Sequence, residues 1–245
     1  MTTRVSISPV STTDIDTLAR NVIYPAAKDD PLQRVTFSRT RSDNGTNVST
    51  TQGGSREREE EILWHRDSLL MALQRGNEFL HKACTAVEDH GENVAIIGWT
   101  LDPGVSNKML EVRRSEIGFE AQCTGAEEKS KVESETPASL DVAVWLAASK
   151  RLREERERIL GDYRRLHPDK GICRITYMAV APTYQRHGFG SALMEMFCQH
   201  IGNCGLDAFV MSSPAGVRLY AKSGFKSVGV VEIGGGQYTS MLRVI

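Results

Sequence analysis

The chain has 245 residues, of which 40% are apolar and 25% charged, with a formal net charge of −1. That composition is ordinary for a soluble globular protein and gives no electrostatic reason to expect nucleic acid as a partner. No run reaches the roughly 18 apolar residues of a membrane span, and the start lacks the apolar core of a secretory signal. Five cysteines (Cys84, Cys123, Cys173, Cys198 and Cys204) are odd in number and form no paired metal-ligand spacing. They read as reduced thiols in a cytoplasmic protein without a metal, with Cys173 and Cys198 packing as small apolar groups.

In chain order, Val5–Val10 alternates as a first strand. Thr12 or Thr13 caps a helix beginning at Asp14, with Ile15, Leu18, Ala19 and Val22 on one face. Residues from about 40 to 57 are rich in Ser, Thr, Asn and Gly and read as a flexible polar loop. A helix returns over Arg58–Arg75 on the stripe Ile62, Leu63, Leu69, Leu70 and Leu73, where Trp64 reads as core and His65 lies beside it. Phe79–Val87 and Val94–Leu101 form a hairpin across the polar hinge 88–93. Gly98 inside the second strand marks a bulge or a close approach. Residues from about 105 to 138 read as a loose acidic insert. Leu140–Leu160 is a helix with Arg151/Glu155 and Glu154/Arg158 pairs and Gly161 as its C-cap.

The last third alternates strand and helix. Ile172–Val180 is a strand, Ser191–Asn203 a helix burying Leu193, Met194, Phe197 and Ile201, and Ala208–Ser212 a strand. A strand–helix–strand unit makes the two strands parallel neighbours. A short helix Ala215–Ser223 precedes a hairpin of Val228–Ile233 and Tyr238–Val244, turning on Gly234–Gly236.

Residues 178–191 carry the chemistry. An apolar strand stops at Pro182, which has no N–H to donate. A basic pair, Arg186 and His187, then leads through Gly188 and Gly190 into a helix. Bare glycine lets backbone approach a ligand closely, and the helix start presents unpaired N–H groups. The arrangement suits a pyrophosphate. A dinucleotide fingerprint does not fit, because Leu193 stands where its third glycine belongs, and no Gly-Lys-Ser/Thr closes a Walker loop.

The run Val180-Ala181-Pro182-x-Tyr184-Gln185-Arg186-x-Gly188-x-Gly190-x-x-Leu193 resembles the coenzyme A signature of the GNAT superfamily, the Gcn5-related N-acetyltransferases. The block Ser213–Phe225, ending Leu219-Tyr220-x-x-x-Gly224-Phe225, is similar to that family's closing helix. The close match spans about residues 172–230. The resemblance implies an α/β (mixed α+β) fold: a central, mostly antiparallel sheet with a splayed parallel strand pair and flanking helices, as one domain over 1–245. It implies acetyl-CoA as co-substrate, a small-molecule primary amine as acceptor, and direct attack in a ternary complex. Gln185, Arg186, His187, Gly188, Phe189, Gly190 and Ser191 would hold the pyrophosphate. The Met178 N–H would polarise the acyl oxygen, while Ala179 and Val180 would pair with pantetheine as an added strand.

Tyr220 stands where the family carries its general acid. Candidate bases are His167, Glu232, a carboxylate of the unmatched insert, or a water chain. Ser212 is a candidate contact to pantetheine or acceptor. The alternatives left open are a catalytically silent coenzyme A sensor, a peptide or protein N-acetyltransferase, and a homodimer as the assembly.

Overall fold

A computed structural model describes residues 5–37, 51–85, 91–101 and 136–245. The expected insert at about 105–138 lies outside the described residues up to 135, as do Cys123, residues 88–90 of the hinge and positions 40–50 of the polar loop. A seven-stranded sheet runs in the order β1-β2-β3-β4-β5-β7-β6. Its strands are β1 (Val5–Pro9), β2 (Glu78–Thr85), β3 (Asn93–Leu101), β4 (Ile172–Val180), β5 (Asp207–Ser212), β6 (Lys226–Ile233) and β7 (Gly236–Arg243). All neighbours are antiparallel except β4 and β5. Flanking it are α1 (Ile15–Leu18), α2 (Tyr24–Ala27), α3 (Pro31–Thr36), α4 (Thr51–Arg75), α5 (Val142–Leu166), α6 (Phe189–Asn203) and α7 (Val217–Lys222). Between α1 and α2 the coil widens to a π-helical stretch over Ala19–Ile23. No helix among the described residues is long and apolar enough to cross a membrane.

Strand β3 reads Val-Ala-Ile-Ile-Gly-Trp-Thr without polar alternation because helices cover both its faces. On one face Ile97 and Trp99 meet Leu193, Met194, Phe197 and Ile201 of α6. On the other, Ile96 joins Leu18, Val22 and Leu69 of the α1–α4 layer. Each large side chain removed from water this way stabilises the fold by about 1.5–3 kcal/mol.

Two features of β4 position the site. Gly98 stands opposite Tyr177 and Trp99 opposite Ile175, which leaves Thr176 as the extra residue of a bulge. The bulge resets the alternation. Cys173, Ile175, Met178 and Val180 pack toward α6, whereas Tyr177 and Ala179 pack toward α1 and α4. A Cβ on Gly98 would lie 2.6 Å from Leu80 Cδ2 and 2.9 Å from Tyr177 Cδ2, so the close approach there is to protein.

The second feature is the splay. β4 and β5 pair only at Ile172↔Asp207, Cys173↔Ala208 and Arg174↔Phe209. Beyond these, β4 stays with β3 and β5 stays with β7. The closed end is pinned at Asp207. Its carboxylate accepts from the Tyr163 hydroxyl at 2.5 Å and the Ile245 N–H at 2.8 Å.

Several boundaries differ from expectation. Helix α5 passes through Gly161 to Leu166, because Ile159, Leu160 and Tyr163 pack on Ile172 and Phe209 and carry the helix past the glycine. It starts after Asp141, which caps the Val144 N–H at 3.0 Å. Along it Glu155 pairs with Arg158 and Glu154 with Lys150, not in the expected combinations. Helix α4 begins at Thr51, inside the expected loop. Its charged run Arg56–Glu61 is made of strong helix formers, with Arg56 on Glu60 and Arg20 on Glu59 as supports. Trp64 is half-buried and meets Trp145 edge-on at 5.9 Å, joining α4 to α5 instead of entering the sheet core.

Candidate active site

The open edge of β4 comes first. The Ala181 N–H donates to the Val94 carbonyl at 2.9 Å. Alternation along an antiparallel pair then turns the main-chain groups of Tyr177 and Ala179 toward β3, and those of Met178 and Val180 into the gap. The Gln185 side chain donates to the Val180 carbonyl at 3.2 Å, capping the last carbonyl of that edge.

Past Ala181 the chain makes a 3₁₀ turn over Pro182–Tyr184, and the Gln185 N–H is used on the Pro182 carbonyl at 3.3 Å. The backbone then becomes left-handed at Arg186, φ 66°, and at Gly188, φ 93°. Arg186 is the one non-glycine with positive φ among the described residues, a conformation costing about 1–2 kcal/mol for an L-residue. Helix α6 starts at Phe189, and its first closing bond runs from the Ala192 N–H to the Gly188 carbonyl at 2.9 Å. Among the described residues, no protein acceptor takes the main-chain N–H groups of Arg186 through Ser191. They form a concave row at the positive end of a helix. Phe189 anchors the row from below, buried and edge-on to Tyr184. Gly190 keeps the passage to the strand open: a Cβ there would lie 3.4 Å from both Val180 Cγ2 and Leu219 Cδ2.

Between the splayed strands lies a cavity of about 600 Å³. On the α6 side its walls include Ile175, Met178, Val210 and Tyr220, and on the other side Asp30, Gln33, His65, Arg156, Arg174 and Tyr238. Tyr220 is 4% exposed, and burial pushes its phenol above the ordinary value. Burial pulls His65 down to about 4, so its ring is neutral at pH 7. Asp30 accepts from the Leu32 N–H at 2.9 Å and the Tyr238 hydroxyl at 2.5 Å. The Thr176 hydroxyl is buried without a hydrogen-bond partner among the described residues.

Residues 142–227 match the family model of the acetyltransferase (GNAT) domain, and the splayed pair, the N–H row and the cavity all involve that stretch. Over residues 142–227 the chain carries the signature of a GNAT acetyltransferase domain. The GNAT fold extends beyond the matched stretch. A Corynebacterium glutamicum structure of "histone acetyltransferase HPA2 and related acetyltransferase" aligns with a TM-score of 0.55 at 13% identity, over 98% of this chain and 96% of that one. The Drosophila melanogaster polyamine N-acetyltransferase, which forms N-acetylagmatine, aligns at 0.55 and 13% over 99% and 100%. An agmatine N-acetyltransferase aligns at 0.54 and 14% over 98% and 99%. No curated protein matches by sequence.

The expected residues divide by where the fold puts them. Met178, Val180 and Tyr220 border the gap or its cavity, and Arg186, His187, Gly188, Phe189, Gly190 and Ser191 form the helix entry. Ala179 lines the cavity, but its main chain is committed to β3, so it offers no added-strand pairing. Gln185 offers its side chain to Val180 and keeps its N–H internal. The expected bases lie elsewhere. His167 ends α5 with its ring 4.9 Å from Tyr163, at the closed end of the strand pair. Glu232 is exposed on β6 opposite Gln237. Ser212 is buried and donates to the Ser213 carbonyl at 2.8 Å. His65 and Asp30 were not singled out as site residues. His65 had a signal: it sits three after Ile62 and four before Leu69, a polar ring on an apolar stripe.

Proposed function

We propose that this protein is an acetyl-CoA-dependent N-acetyltransferase acting on a primary amine of a small molecule, by direct attack in a ternary complex, with all of 1–245 as one domain. The observation that carries the reading is the continuity of two unpaired donor sets. The gap-facing edge of β4 at Met178 and Val180 runs into the N–H row from Arg186 to Ser191. An extended amide chain ending in a diphosphate matches both at once. When bound, acetyl-CoA supplies the acyl group and the thiol leaving group.

The chain's own groups would divide the work. The N–H row and Arg186 hold the diphosphate, the latter with a charge fixed at any working pH. Met178 and Val180 take the pantetheine amides as β-sheet partners, and the Met178 N–H sits at the developing oxyanion. Tyr220 stays protonated and offers its hydroxyl to the departing sulfur. Its raised proton affinity makes it a hydrogen-bond donor whose proton is replaced at once from the amine. The neutral His65 ring accepts a hydrogen bond from the incoming amine and passes its proton toward water. The overall change balances: an ammonium and the thioester give an amide, a free thiol and one proton.

The test is release of free thiol from acetyl-CoA over a panel of small amines, with calorimetric binding of coenzyme A alongside. Turnover with any amine supports the reading. Tight binding with no turnover across the panel replaces it with a coenzyme A sensor.

A further inference from the structure

The wall of the cavity opposite α6 holds a half-buried carboxylate that meets no cation among the described residues. It belongs to Asp30, just before α3. Its Oδ1 accepts from the Leu32 N–H at 2.9 Å and from the Tyr238 hydroxyl at 2.5 Å. Both donors are neutral. Burial, then the bond to Asp30, raise the Tyr238 phenol, so it keeps its proton. Capping α3 and holding Tyr238 both use Oδ1, and among the described residues no donor reaches Oδ2. The guanidiniums of the same wall are already matched. Arg156 donates through Nε and Nη2 to Glu157 Oε1 at 3.1 and 3.0 Å, and Arg174 is engaged as well. His65, which the acetyltransferase reading sets against the incoming amine, shares this wall with Asp30. A fixed carboxylate, partly out of water and without a counter-ion, attracts a cation more strongly than a solvated one does.

We propose that Asp30 sets acceptor specificity by pairing through Oδ2 with a second positive charge on the substrate, so that the acceptor is an alkyl chain with a cationic group at each end. This rests on the acetyltransferase reading and narrows its substrate. The reacting amine lies in the gap beside Met178 and Tyr220, on the α6 side of the cavity, and the distal cation meets Asp30 on the other side. Ala26, Ala27, Leu152 and Met211 line the same cavity and give an apolar bed for a methylene spacer. The transfer is the one already balanced: the amine nitrogen forms the amide, the C–S bond breaks, and the distal cation is a spectator.

The experiment compares isosteric pairs in which a terminal methyl replaces the distal ammonium: 1,3-diaminopropane with butylamine, putrescine with pentylamine, cadaverine with hexylamine. Each is measured by thiol release and by calorimetric binding to the full chain in the presence of coenzyme A. The diamine of at least one pair is expected to win by about tenfold or more in kcat/KM or affinity, well beyond the about twofold that two equivalent amines supply, since a site built for a polar group rejects the analogue lacking it. Asp30→Asn keeps an oxygen for Leu32 and Tyr238 and removes the charge. It should erase the preference through KM, hold kcat, and leave the monoamine within about threefold, because only the distal cation meets the carboxylate. A monoamine that equals or beats its diamine in every pair overturns the proposal. So does an Asp30→Asn loss that is equal for both members, which is the mark of a purely structural cap. If nothing is turned over, the acetyltransferase reading fails, and the binding comparison still decides the preference for the second charge.

Discussion

Gly190→Glu separates folding from cofactor binding. Position 190 is in the first turn of α6, with ordinary helical φ. Replacing glycine there gains about 0.5–1 kcal/mol of helix propensity, and an acid near the positive helix end adds about 0.3–1 kcal/mol. Against this stands a Cβ contact of 3.4 Å to Val180 Cγ2 and Leu219 Cδ2, both ends of side chains that can shift slightly. The variant should therefore unfold in urea at the same midpoint as the parent or slightly higher. Binding should collapse. The carboxylate would cover N–H groups meant for the diphosphate and repel it. Losing two charge-assisted hydrogen bonds at about 1.5–3 kcal/mol each lowers coenzyme A affinity by about two to four orders of magnitude. Titration calorimetry reads this directly, with Gly190→Ala as the control that fills the same space without charge and should lose less than about tenfold. A Glu variant that folds normally and binds coenzyme A as tightly as the parent would refute the reasoning.

Tyr220→Phe removes only a hydroxyl from a buried ring. Turnover should fall by about tenfold or more while coenzyme A affinity holds, since the donor matters at the departing sulfur; equal turnover would remove Tyr220 from the chemistry. Gly188→Ala meets no atom within 4 Å but must hold φ at 93°, so urea unfolding should show a loss of about 1–2 kcal/mol from backbone strain alone; an unchanged midpoint would contradict the left-handed turn. Acid should destabilise the fold in a defined window. His81 stacks on Trp99 at 5.0 Å, and burial, then the nearby His200, pull it from 6.5 to about 4. The unfolded chain thus binds the proton more tightly. The stabilisation is complete above pH 6.5 and is lost as pH falls toward 4, by up to about 3 kcal/mol for this ring. His65 adds a loss of the same sign. His81→Phe should flatten the pH dependence of urea stability in that window, and an unaltered slope would count against the burial argument.

What the sequence disclosed and what it hid follow from locality. The N–H row proposed to hold the diphosphate is built by contiguous residues, so proline, glycine and helix start could be read directly from 180 to 193. The parallel pair followed from the strand–helix–strand order. The acceptor side is different. Asp30, His65, Arg156, Arg174 and Tyr238 come from separate elements, and no spacing links them. Arg156 stands in a charged run of its helix, and only the assembled fold puts it on the cavity wall. Helix α5 outran Gly161 for the same reason: its last turns are held by Ile172 and Phe209, distant partners that local propensity does not contain.

The central claim is that the entry to α6 and the free edge of β4 together hold a thioester carrier. A crystal structure of the protein with coenzyme A tests it most directly. The account predicts diphosphate oxygens within hydrogen-bond reach of the N–H groups from Arg186 to Ser191, and pantetheine amides on the main chain of Met178 and Val180. A diphosphate bound elsewhere, with those N–H groups occupied by water, would contradict it.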